Sequence, residues 1–350
     1  MFKNSLITAL ISLAFGACFL FLACDDDDGN GPQALDNTAL KLAPAGLPTL
    51  TEEDSLVYEL WVVDTLDETT LTSLSKFFWD NEAYEFQNLF GFSRSDVFDL
   101  PQGKTTNDYN LMFVTFEPYP EDDREPSLSY VMAGPLVEDF PILRMEFDDS
   151  FAEVTGTYVL SSLSDYNLDA EDSAALEISG IWFAGVEAGG FNYSALSPGL
   201  VIPTLPQDAN IIYEGWVFVQ GWERPLSTGK FRNPNFRDLS NPYIEDQYAP
   251  LLPGEDFLIS NGAPSWIRNN FPLVLVGERG DTASMVMITL EPYPDPDERN
   301  PFPLVLLSRN LPFLAGPSDR KISKAHTLIQ MGNRYIELPT IEVTRTDREN

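Results

Sequence analysis

Tyr213-Glu214-Gly215-Trp216-Val217-Phe218, a turn around Gly221, then Ser227-Thr228-Gly229-Lys230-Phe231: this stretch occurs twice in the chain. The earlier copy reads Tyr58-Glu59-Leu60-Trp61-Val62-Val63, a polar loop, then Ser73-Leu74-Ser75-Lys76-Phe77. A second block follows each copy in the same order. Phe113-Val114-Thr115-Phe116-Glu117-Pro118-Tyr119-Pro120 matches Met287-Ile288-Thr289-Leu290-Glu291-Pro292-Tyr293-Pro294. Two blocks repeated in order indicate a duplicated domain. The period far exceeds the roughly 20–50 residues of solenoid and propeller repeats, so the reading is a tandem of two globular units. Their apolar runs are short, rich in β-branched and aromatic residues, and bounded by Gly and Pro, which is the pattern of strands. The expected fold is all-β: two tandem β-sandwich-like domains related by internal duplication.

The 350 residues suit two domains of ordinary size. The chain divides into a targeting segment (1–24), an acidic tether (25–35), a first β domain (36–205) and a second (206–350). A hydrophobic content of 43% and an aromatic content of 12% indicate packed cores. A net charge of −33 excludes nucleic acid as a partner, because that binding rests on Lys and Arg neutralising phosphates. It also argues against a basic patch on anionic lipid. The two cysteines, Cys18 and Cys24, both precede the folded part, so no disulfide framework is expected there. His326 is the only histidine, which excludes a His-rich zinc site.

At the N-terminus, Lys3 precedes an uncharged apolar run from Leu6 to Ala23, and Phe21-Leu22-Ala23-Cys24 closes it. This resembles a bacterial lipoprotein signal peptide. The resemblance implies that Cys24 is lipidated and anchors the chain to a membrane; a transmembrane anchor is the alternative. Asp25-Asp26-Asp27-Asp28 then begins a self-repelling tether. The tether resembles the acidic export signal of surface lipoproteins in Bacteroidetes-type bacteria, which implies the outer face of an outer membrane. In enterobacteria an Asp directly after the cysteine instead implies inner-membrane retention, and a plain spacer is the bland reading; the outer membrane is the favoured expectation.

In the first domain, strands are expected at 56–63, 110–117, 129–133, 142–147, 155–162 and 178–183, with Gly185–Pro198 a loop and linker. In the second they are expected at 211–219, 226–231, 304–307, 327–331 and 335–343. A hairpin is expected between 274–276 and 283–291, and a short helix at 318–325. Trp61 and Trp216 read as core residues, as do Tyr58, Phe77, Tyr213 and Phe231. Phe231–Pro253 is a long irregular excursion, the kind of loop that is functional or mobile. With Arg232, Arg237, Tyr243 and Tyr248 it is the candidate recognition surface, since Arg and Tyr anchor interfaces.

The order Tyr-Glu-x-Trp-Val, Ser-Thr-Gly-Lys-Phe, Thr-Leu-Glu-Pro resembles the extracytoplasmic C-terminal domain of anti-sigma-K factors. Residues 58–136 and 213–307 carry the resemblance, with Gly229 at the Gly-x-Phe turn and Glu117-Pro118 and Glu291-Pro292 at the Glu-Pro ends. The family's Gly-Gly-Ser after Glu-Pro is replaced by Tyr-Pro and an acidic loop, and a lipidated cysteine stands where a transmembrane helix would be. The resemblance implies a fold and an extracytoplasmic place rather than sigma-factor inhibition.

No constellation of residues points firmly to catalysis. Glu117 and Glu291 recur at equivalent places and are the best acid–base candidates; the structural reading makes each a strand-end Glu held by a backbone N–H or a Lys. Asp295, Asp297 and Glu298, or Glu121, Asp122 and Asp123, supply oxygens of the kind calcium takes, without EF-hand spacing. No Gly-x-Ser-x-Gly elbow exists, and Ser227-Thr228-Gly229-Lys230 lacks the upstream glycine of a phosphate loop. No cofactor and no metal are expected. The favoured expectation is a non-catalytic, lipid-anchored binding or sensing protein with a protein or glycan partner outside the cytoplasm. The alternatives are a hydrolase of cell-surface polymer and a purely structural envelope protein.

Overall fold

The computed structural model describes residues 37–67, 70–120, 125–136, 141–145, 151–163, 178–186, 196–239, 243–244, 250–277, 283–313 and 328–348. In the N-terminal part the strands are β1 (Ala39–Ala45), β2 (Leu56–Asp64), β3 (Leu71–Asp80), β4 (Glu85–Gln87), β5 (Val97–Asp99), β6 (Tyr109–Pro118), β7 (Tyr130–Pro135) and β8 (Ile142–Arg144). β9 (Thr155–Leu160), β10 (Gly180–Trp182), β11 (Ala184–Val186), β12 (Leu196–Pro198) and β13 (Leu200–Val201) follow. The remainder are β14 (Ile211–Phe218), β15 (Leu226–Phe231), β16 (Gly254–Asp256), β17 (Met285–Pro292), β18 (Val305–Asn310), β19 (Ile329–Gln330), β20 (Gly332–Asn333) and β21 (Thr340–Thr346). Among the described residues helix occurs only as short 3-10 turns, so the chain is all-β, as its pattern implies.

Two compact units emerge. The first holds the described residues up to Phe151, with Asp208–Asn210 and those from Glu337 on; the second holds Ala152–Gln207 and Ile211–Ile336. This differs from the division at 205/206 expected from the sequence. β9 and β10 pair with β19 and β16 of the second unit, whereas β21 pairs with β1 and β8 of the first. The reason is that a strand's own residues show that it will pair, not with which distant strand. β21 buries Ile341 and Val343 on one face and leaves Glu342 out, which only requires a sheet to lean on.

The first unit is one antiparallel sheet in the order β4-β3-β2-β6-β7-β8-β21-β1-β5. β2 is an interior strand, third from the β4 edge, and is buried on both faces, which explains its nearly unbroken apolar run. One face carries Tyr58 against Phe77 and Phe116, extended by Phe86 and Phe98. The other carries Trp61 and Val63, packed with Leu111, Phe113 and Tyr130.

The second unit contains the ladder β15-β14-β17-β18-β20 and the smaller sheet β13-β9-β10-β16. The ladders β3-β2-β6-β7 and β15-β14-β17-β18 share their register. Tyr58 faces Phe77 and Glu59 faces Lys76, as Tyr213 faces Phe231 and Glu214 faces Lys230. A bulge follows in each, between Leu60 and Trp61 and between Gly215 and Trp216. Another falls between Val114 and Thr115 and between Ile288 and Thr289. Because one slipped residue would send every side chain to the opposite face, matched bulges keep matched residues on matched faces.

Two glycines make the second ladder possible. A Cβ at Gly215 would lie 2.1 Å from Thr228 Oγ1 and 2.8 Å from the Phe183 ring. Gly229 has φ +117°, and a Cβ there would meet the Asp238 carboxylate at 2.3 Å.

Two expectations for loops change. Residues 274–276 do not form a hairpin with β17, which lies between β14 and β18; Leu275 instead donates its N–H to Ile178. The Gly185–Pro198 linker contributes to the β11–β12 pair. The helix expected at 318–325 lies outside the described residues, as do the targeting segment, Cys24 and the tether.

Candidate functional site

The repeated blocks converge on a buried polar network, once in each unit. In the first, the Trp61 indole donates to Thr115 Oγ1 at 3.0 Å, and the Thr115 hydroxyl donates to Glu117 Oε1. The Ser127 N–H closes the chain on the same carboxylate at 2.9 Å. Glu59 accepts from the Ser73 hydroxyl and lies 3.8 Å from Lys76 Nζ. Glu59 and Glu117 are each 4% exposed, so both carboxylates depend on these partners rather than on water.

In the second unit, the Trp216 indole reaches Thr289 Oγ1 at 3.0 Å and Glu291 Oε1 at 3.3 Å. The Thr289 hydroxyl donates to Glu291, and the Phe302 N–H supplies both carboxylate oxygens at 3.0 Å. Glu214 lies 3.5 Å from Lys230 Nζ, whose shorter contact, 2.6 Å, is with Asp295. The strand geometry explains the grouping. Glu214 and Trp216 alternate onto one face of β14; Thr289 and Glu291 do the same on β17, directly alongside. Asp295 enters from the loop after Pro294.

Three carboxylates around one ammonium raise the cost of ionisation. Burial, opposed by Lys230, pushes the Glu214 pKa up to about 8. Burial, opposed by the Thr289 and Phe302 hydrogen bonds, pushes Glu291 up to about 7. Burial alone would lower the Lys230 pKa, but Glu214 and Asp295 outweigh it and raise the net value. The two partners' shifts pull opposite ways: a raised Lys230 favours its charge, a raised Glu214 disfavours the carboxylate's. The distances resolve this, since Asp295 is the ammonium's close partner and Glu214 the distant one, so the proton belongs on Glu214. In the first unit burial likewise raises Glu117.

Carboxylate oxygens of Glu214, Glu291 and Asp295 lie within 4.8 Å of one another, a spacing that could hold a metal ion. The Lys230 ammonium is already seated there, and Glu291 is surrounded by N–H and O–H donors, which suit an anion receptor rather than a cation ligand set. As an acid–base pair, Glu214 and Glu291 are 2% and 0% exposed, closed to a polymer substrate. Asp297 and Glu298 do not join Asp295 in a calcium-like cluster; Asp297 caps the Arg299 N–H and binds the Asn300 amide. Glu121, Asp122 and Asp123 lie outside the described residues.

The excursion after β15 is a different surface from the one expected. Arg232 is buried, donating to the Pro206 and Ile211 carbonyls and lying over the Tyr293 ring. Tyr243 is buried too, packed on Phe257 and Phe271. Arg237 is half-buried and donates to the Pro250 carbonyl at 3.3 Å. Tyr248 lies outside the described residues. A sequence that is mostly loop gave no sign that these side chains face inward. Two further buried acids were missed. Asp256 accepts from the Trp182 indole at 2.6 Å, and burial, with Asp256 alongside, pushes Glu255 up to about 9.

What sequence reasoning missed in the network is the pairing of Glu59 with Lys76 and of Glu214 with Lys230. The signal was present, because both pairs recur at fixed places in the repeat. The Asp295 contact had none, since a loop aspartate's destination depends on how the loop folds back. Comparison with family models, curated proteins and solved structures returns no match to this chain.

Proposed function

We propose that this chain is a lipid-anchored, extracytoplasmic, non-catalytic binding protein. It would be built from two copies of one β unit related to the extracytoplasmic domain of anti-sigma-K factors, and it would carry recognition on its loops. The observation that supports this reading is the fate of the repeated polar residues. Glu59, Glu117, Glu214 and Glu291 are all buried and engaged by Lys, Ser, Thr, Trp or backbone N–H groups. Chemistry that recurs in both copies therefore serves as internal structure, and loops on a rigid scaffold are left as the place for recognition. The matched registers and bulges of the two ladders support duplication. The segment ending at Cys24 and the acidic run after it support anchoring and favour an outer membrane, with display on its surface as the further step.

The anchoring half is tested by Cys24→Ser. Stable anchoring needs more than one acyl chain, each contributing about 0.8 kcal/mol per buried CH₂. The variant should lose palmitate labelling and move to the soluble fraction. Labelling that persists on the variant would reject Cys24 as the anchor.

A further inference from the structure

Between Asp256 and Glu278 the chain carries a single charged side chain, Arg268. In a chain of net charge −33 this is an island without acids. The segment is well fixed. Phe257, Ala263, Ile267, Leu273 and Leu275 are buried along it. The Ile259 N–H reaches the Tyr243 carbonyl, and the Leu273 N–H reaches Phe257. The acids that precede it, Glu255 and Asp256, are fully buried and turned from solvent.

The surface of this segment is an open depression of about 690 Å³, lined by Leu258, Ile259, Ser260, Asn261, Gly262, Arg268 and Phe271. That volume falls within the range of organic-ligand sites. Its lining is mostly polar, and the depression is shallow, which suits a hydroxylated ligand better than an apolar one. Arg268 is held in place: its Nε and Nη2 donate to the Ala263 carbonyl at 3.0 and 2.7 Å. No carboxylate pairs with it among the described residues, and Nη1 has no protein acceptor there. An oriented guanidinium with a spare donor and no counter-charge is the group that recognises a carboxylate. Phe271 supplies an aromatic wall, while Asn261 and Ser260 supply side chains that both donate and accept, as sugar hydroxyls require.

We propose that this depression is a binding site for an acidic oligosaccharide, with Arg268 taking a uronate carboxylate and Asn261 and Ser260 contacting neighbouring hydroxyls. It adjoins the excursion after β15 without using its arginines: the Ile259 N–H reaches the Tyr243 carbonyl, Tyr243 packs on Phe271, and Arg232 is buried elsewhere on the Pro206 and Ile211 carbonyls. The overall negative charge does not prevent this, because at physiological ionic strength fields from charges more than about 8 Å away are largely screened. The proposal rests on the reading of the chain as a binding protein, but not on where the chain is anchored.

The test is calorimetric titration of the purified chain with trigalacturonate, neutral galactotriose and sodium acetate. Trigalacturonate should bind saturably, with galactotriose at least about tenfold weaker and acetate weaker still. Arg268→Ala should weaken trigalacturonate at least about tenfold, and Arg268→Lys less, since the charge remains but the fork is lost. Asn261→Asp keeps the side chain's size and sets a like charge at the rim, so it should weaken the acidic sugar by a larger factor than the neutral one, which loses only the amide donor. Circular dichroism melting separates misfolding from lost contacts. Equal affinity for acidic and neutral sugars, no saturable binding of trigalacturonate, or folded Arg268 and Asn261 variants that bind as the parent does would each overturn the site. Because Cys24→Ser fractionation is independent of this titration, failure here leaves the anchoring reading standing, and the reverse.

Discussion

At the scale of single residues, the two tryptophans do two jobs. Trp61 and Trp216 are each 1% exposed and fill their cores, and each indole N–H also begins a hydrogen-bonded chain to a glutamate. Trp216→Ala should destabilise the second unit by about 3–5 kcal/mol through the cavity it leaves. Trp216→Phe keeps most of the volume and removes only the donor, which should cost about 1–3 kcal/mol. Denaturant melts of the two variants check the ordering; a Trp216→Phe protein as stable as the parent would mean the indole N–H contributes nothing. Glu214 and Glu291 make a pH prediction with a definite sign. Their folded pKa values, about 8 and about 7, lie above the ordinary 4.5, so the folded state holds more protons than the unfolded one between those limits. Their contribution is full below about pH 4.5 and is lost as pH rises towards 8. Hydrogen exchange of the β14 and β17 amides should therefore accelerate across that range, beyond the rise intrinsic to exchange chemistry. Glu214→Gln should flatten the dependence. A Glu214→Gln profile identical to the parent's would contradict the assignment of the raised pKa.

At the scale of elements, most strands were legible because their residues alternate or run apolar over the right length, and prolines mark their ends. β2, β6, β14 and β17 fall within a residue or two of their expected bounds. Legibility failed where an element's fate is set by something distant in the chain. β1 and β5 have too little local pattern to stand out, and they exist because β21 returns to pair with β1. Arg232 and Tyr243 looked like surface residues because the segment around them lacks periodicity; backbone carbonyls and the Phe257 and Phe271 rings draw them in. Gly229 illustrates the opposite case. Its place in the Ser-Thr-Gly-Lys-Phe block marked a turn-like position, and the structure shows the positive φ and the Asp238 carboxylate behind it. Gly229→Ala should destabilise the β14–β15 ladder by about 1–3 kcal/mol. Its thermal melt compared with that of Gly221→Ala separates strain from crowding. Gly221 also has positive φ but open space around it, so it should cost less.

At the scale of the molecule, the sequence indicated an all-β chain with a twice-used motif but not how its ends are distributed between the units. Truncation after Ile336 tests the distribution. It removes β21 from between β8 and β1, so protection should fall in β1, β5 and β8 while β14 and β17 keep theirs. The division expected from the sequence would have the second unit suffer instead. The central claim is that the repeated polar network is internal structure and that recognition lies elsewhere. One paired measurement reaches it most directly: stability and trigalacturonate affinity in Glu291→Gln and Arg268→Ala, side by side. The account predicts that Glu291→Gln lowers the melting temperature of the second unit and leaves affinity unchanged, while Arg268→Ala lowers affinity and leaves the melting temperature unchanged. A Glu291→Gln protein that keeps its stability but loses binding, or loses a turnover of the sugar that the parent performs, would contradict it.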